Sequence, residues 1–164
     1  MKMRKISLTA LLLSFSLVVS IVEGMIPVSA FVHIPGVKLG FANIATMAAL
    51  IYLGKSAALF IAVARPLIML ILFGNPTGFI FSLCGGMLAL LCAILFIGMY
   101  DRACTYIGIS ILCALSHSAG QMLAASVTLS FSALYYLPPL IIGSAITGAV
   151  TGILMNIIFS RVKL

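Results

Sequence analysis

The sequence predicts an all-α integral membrane protein, a bundle of six transmembrane helices with both termini in the cytoplasm. Three observations lead there. Hydrophobic residues make up 64% of the chain and its mean hydropathy is +1.36, which leaves too little polar surface to coat a water-soluble body. Only nine Lys or Arg and two Asp or Glu occur among 164 residues, and nearly all of them fall between long apolar runs. Each run is close to the roughly 17–25 residues a helix needs to cross ~30 Å of hydrocarbon. The runs also lack the strict alternation of barrel strands, so helices must satisfy the backbone in lipid.

The first run, residues 6 to 28, follows Lys2, Arg4 and Lys5. With Val28-Ser29-Ala30 behind it, it has some look of a secretory signal. Its length suffices to span, however, and it is read as a retained helix. Ala10-x-x-x-Ser14 is a small-residue pair that lets a neighbouring helix approach, from this chain or from a partner subunit. Glu23 lies near the end of the run.

An outer loop, 29 to 38, is closed by Pro35-Gly36 and leads into the second run, 39 to 54. Lys38 and Asn43 stand at its mouth. An anion arriving from outside meets Lys38 first, with Asn43 about one turn below and the amides of Gly36 and Gly40 nearby. Lys38 alone reads as a solvated loop charge; Asn43 inside an apolar helix does not.

The third run, 56 to 73, starts at Lys55 and contains Arg65, placed ~15 Å deep at 1.5 Å per residue. A charge there costs about 2.5–3.5 kcal/mol on insertion scales and needs a partner or a cavity. An ion pair with Glu23, hydrogen bonds to carbonyls freed near Pro66, and a bound ligand all remain open.

Gly74-Asn75-Pro76 breaks the chain before the fourth run, 77 to 99, which carries Gly85-Gly86. The fifth, 104 to 129, places His117 and Gln121 on one face with Gly120 beside them. His117 reads as a helix–helix hydrogen-bond partner or a proton relay. The sixth, 136 to 160, begins at Pro138-Pro139 and carries a small-residue stripe through Gly143, Ser144, Thr147, Gly148, Thr151 and Gly152. Close packing within the chain is its simplest meaning.

With the N-terminus inside, Lys2, Arg4, Lys5, Lys55, Arg102, Arg161 and Lys163 lie at the cytoplasmic side and only Lys38 outside. That spread accounts for the net charge of +7 better than a nucleic-acid surface. The short connections leave one membrane domain, 1–164, with no soluble part.

Glu23 and Asp101 fall on opposite sides and cannot share a magnesium ion, and no phosphate-binding Gly-x-x-x-x-Gly-Lys-Ser/Thr loop exists. Neither catalysis by this chain alone nor a resident metal or cofactor is expected. Cys84, Cys92, Cys104 and Cys113 form no Cys-x-x-Cys motif and read as small hydrophobes.

Pro-Gly-x-Lys-Leu-Gly-x-Ala-Asn-Ile at 35 to 44, Arg65, Ser82-Leu83-Cys84-Gly85-Gly86 and His117-x-x-Gly120-Gln121 together resemble the Gx transporter family, often labelled heptaprenyl diphosphate synthase component I. The likeness runs from Glu23 to the last helix. That family in turn resembles the substrate-binding S components of energy-coupling-factor transporters. The resemblance implies six helices, a ligand pocket near the outer face of a prokaryotic plasma membrane, and uptake of a small nutrient or precursor powered by separate ATPase subunits. It also implies that Ala10 and Ser14 contact a transmembrane coupling subunit. Lys38, Asn43, Arg65, His117, Gln121 and Glu23 are the expected ligand-binding set. The family label points instead to prenyl-chain elongation, whose aspartate-rich motifs this sequence lacks, so an accessory membrane subunit is the alternative.

Overall fold

In a computed structural model, residues 2–25, 38–99 and 105–161 are described, and all their regular structure is helical. Six α-helices follow in order: α1 (Lys2–Met25), α2 (Asn43–Tyr52), α3 (Lys55–Phe73), α4 (Pro76–Phe96), α5 (Tyr106–Thr128) and α6 (Leu137–Arg161). Short 3-10 segments at Ile97–Met99 and Phe131–Tyr136 follow α4 and precede α6. Five of these helical stretches are long and apolar enough to cross a membrane.

The sixth, α2, is apolar but shorter than the sequence reading had it, which leaves five or six helices to cross. Residues 39 to 54 were expected to form a span, but α2 has only ten residues, ~15 Å of helix and half of what crossing requires. Residues 38–42 enter it without regular structure. Gly40 has φ +92°, a left-handed backbone that costs glycine little and other residues a good deal.

Each boundary has a local cause. Gly74, in the left-handed conformation, ends α3 and its N–H donates to the Leu70 carbonyl. Asn75 then caps α4, its Oδ1 accepting from Gly78 N–H at 3.0 Å, with Pro76 at the first helical position. Thr105 caps α5 in the same way. Pro66 sits inside α3 without ending it. The Ala62 carbonyl it deprives of a donor faces the space above Gly86.

α5 is central, packed between α4 and α6, while α1 leans on α2 and α3. Glycines set the approach of the central three. A Cβ on Gly148 would lie 2.6 Å from Ile111 Cα, one on Gly152 2.6 Å from Ile107 Cα, and one on Gly120 2.7 Å from the Cys84 carbonyl. Hydroxyls reinforce the α5–α6 seam, where Ser110 bonds Thr151 at 2.7 Å and Ser118 bonds Ser144. The small-residue stripe thus packs within the chain, as its simplest reading required. Phe81, Ile61, Ile109 and Met155 fill the interior, and outward side chains such as Leu11, Leu72 and Ile146 are apolar, as lipid contact demands.

Candidate functional site

The irregular segment 38–42 creates the site, because non-helical backbone inside a bundle exposes amides and carbonyls that must be paired. Two side chains meet that need. Gln121 accepts from Lys38 N–H at 2.9 Å and donates to the Lys38 carbonyl at 2.8 Å, gripping one residue at both of its polar groups. Glu23, buried near the end of α1, accepts from the amides of Gly40 and, at 3.3 Å, Phe41. The Gly40 amide, expected to be free for an anion, is therefore engaged by Glu23. Gly36 lies outside the described residues.

Beneath this clamp, His117 is 2% exposed and wedged between glycines. A Cβ on Gly40 would fall 2.9 Å from its ring, and one on Gly85 2.8 Å. Its Nδ1 lies beside the Gly85 backbone without reaching hydrogen-bond geometry. Arg65, 3% exposed, donates from Nη1 to Asn43 Oδ1 at 3.3 Å, and Gly86 leaves room for its Nη2. Arg65 and Glu23 act on each other electrostatically, but each directs its hydrogen bonds elsewhere.

Polar atoms remain unspent. Asn43 Nδ2, Thr46 Oγ1 and His117 Nδ1 are buried without a hydrogen-bond partner among the described residues. Asn43 and Thr46 also border a cavity of about 20 Å³ reaching Gly86, Ser110 and Thr151, room for about one water. Two cations, Lys38 and Arg65, face a single carboxylate, Glu23, so the cluster carries excess positive charge. At Lys38, which precedes α2, burial lowers the ammonium pKa, the Glu23 carboxylate opposes this, and Arg65 adds to it.

A profile for the heptaprenyl diphosphate synthase component I family matches residues 12–158, nine-tenths of the chain. The protein belongs to this family. No curated protein and no solved structure matches it. The matched span includes the candidate residues from Glu23 on α1 to Gln121 on α5.

The six residues proposed to bind ligand all meet in this one region, in three groups. Glu23 and Gln121 hold backbone; Asn43 and His117 carry unspent polar atoms, with Arg65 bonded to Asn43; the Lys38 side chain lies at the rim. Thr46 was missed, although its spacing from Asn43, three residues along one face of an apolar helix, is the signal that marks it. Ala10 and Ser14 are exposed on α1, facing away from the bundle. Asp101, Arg102 and Cys104 lie outside the described residues. Cys92 and Cys113 are buried and interact with each other, whereas Cys84 is exposed rather than buried. Among the described residues no three His, Cys, Asp or Glu converge on a possible metal position.

Proposed function

We propose that this component I protein is the substrate-binding membrane component of an energy-coupling-factor-type uptake transporter, taking in a small anionic nutrient or precursor such as a vitamin, flavin or isoprenoid or quinone precursor, with ATP hydrolysis supplied by separate subunits. One observation carries the reading: a largely buried cluster with two cations, one carboxylate, an unspent donor on Asn43 and an unpaired ring nitrogen on His117. Charge in a low-dielectric interior is costly unless paired, and a bound anion supplies the missing pair. Rigid glycine-lined packing around His117 favours a preformed site.

In this reading both termini are cytoplasmic, the clamp faces outward, and the exposed Ala10–Ser14 face of α1 receives a transmembrane coupling subunit. The chain itself performs no catalysis. A second reading has a specific basis: the family's own name describes a component of a prenyl diphosphate synthase, and a non-catalytic membrane subunit of such an enzyme would suit it.

Purification of the tagged chain from its native membrane in mild detergent separates the two. The transporter reading expects a membrane coupling subunit and ATPases to co-purify, and ATP-dependent uptake when all are reconstituted. Recovery of a soluble prenyl synthase, with prenyl transfer that depends on this chain, would replace it.

A further inference from the structure

Two large openings touch the polar cluster from outside: one of about 360 Å³ reaches Glu23 along an almost wholly apolar wall, and the other, with a mixed wall, lies beside Lys38. The latter measures about 310 Å³ and runs between α1, α3 and α4, with Lys38 at its edge. Asn43, Arg65, His117 and Gln121 are packed too closely to line it, so Lys38 is the member of the cluster that faces this space. That volume is at the small end of ligand sites.

Its walls have two characters. Ile21, Met69, Leu70, Phe73 and Phe79 give it an apolar, adaptable surface. Part of the wall is polar: Lys38, Ser20 and Ser82 line the cavity, the two serines being 3% and 8% exposed as residues. The lining thus holds two hydroxyls and a cation, and no carboxylate is among the described residues that form it. Arg65, adjacent in sequence to the cavity-lining Pro66, adds positive potential behind that wall.

We propose that this cavity binds an amphipathic anion, its phosphate or carboxylate head at Lys38, Ser20 and Ser82 and its apolar body along Met69, Leu70, Phe73 and Phe79. This rests on the ligand-binding reading above but moves the anion to the edge of the cluster, where Lys38 meets it directly and Arg65 acts through its charge, without contact from Asn43 or His117. The lining calls for both parts: a charged head alone leaves the Met and Phe wall open, and an apolar molecule alone offers nothing to Lys38, Ser20 and Ser82.

Gly24 offers a clean block. It borders the cavity, and a Cβ added there meets nothing within 4 Å, so the backbone accepts a side chain and Gly24→Phe is the variant chosen to occupy the space from α1. The test measures binding of decyl phosphate to the full-length protein in nanodiscs, beside decanol (chain without charge) and inorganic phosphate (charge without chain).

Decyl phosphate should bind at least tenfold more tightly than either half, about 1.4 kcal/mol by the thermal-energy conversion. Lys38→Met should weaken it roughly tenfold, and Gly24→Phe should abolish it in a protein with unchanged thermal stability. Equal binding of decanol, or full binding by folded Gly24→Phe, would overturn the proposal. Tight retention of phosphatidylglycerol from the nanodisc, displaced by decyl phosphate, would identify the bilayer as the source of the anion; no retained lipid would identify the aqueous phase. Both support the shared chemistry. Specific binding without uptake in the reconstituted complex would sink the transporter reading and leave the cavity intact, whereas uptake unaffected by Gly24→Phe would do the reverse.

Discussion

Gly40 is required twice over, by its positive φ and by the His117 ring 2.9 Å from where a Cβ would stand. Gly40→Ala should therefore destabilise the protein by about 1–3 kcal/mol, visible as a lower midpoint of thermal unfolding in detergent. Gly24→Ala, in open space on a helix, should be neutral or stabilising by up to ~1 kcal/mol. Equal effects of the two would remove the packing account of the His117 wedge. Gln121→Leu leaves the Lys38 N–H and carbonyl without their partner, each a loss of about 1–3 kcal/mol if water cannot reach them. Its stability should fall further than that of Ala10→Leu on the exposed face of α1. The sequence marked these polar residues because apolar surroundings make them costly. It did not reveal that Glu23 and Gln121 serve the backbone, since the demand for partners arises only once 38–42 is known to be non-helical.

Helix positions were largely legible, because apolar runs bounded by Lys55, Asn75-Pro76 and Pro138-Pro139 have ends set by local chemistry. The length of α2 was not. Hydropathy counts apolar residues and is blind to whether Leu39 to Ala42 are helical; the conformation of Gly40 and the distant partners Glu23 and Gln121 decide that. The α5–α6 seam shows the converse, a stripe whose spacing alone disclosed close packing. Gly148→Val should push α5 and α6 apart at Ile111, since even its Cβ would sit 2.6 Å from a backbone atom, and should lower the yield of folded protein severely. Ala10→Leu and Ser14→Leu should leave folding unchanged while reducing co-purification of a coupling subunit. Undiminished co-purification would place the partner on another face.

For the whole molecule, the seven-to-one distribution of basic residues predicts both termini inside. A cysteine at position 33 should be labelled by an impermeant reagent from outside and one at position 163 should not; the opposite pattern would invert the site relative to the membrane and end the uptake reading. The central claim is narrower: the excess positive charge around Arg65 holds an anionic ligand rather than merely joining helices. Native mass spectrometry of the gently purified chain, comparing wild type with Arg65→Gln/Glu23→Gln, tests it most directly. Removing both charges together relieves any structural dependence of one on the other, so the double variant should remain folded. The account predicts a retained anionic small molecule on the wild type and none on the folded double variant; the same molecule retained by both, or a bare wild-type chain, would contradict it.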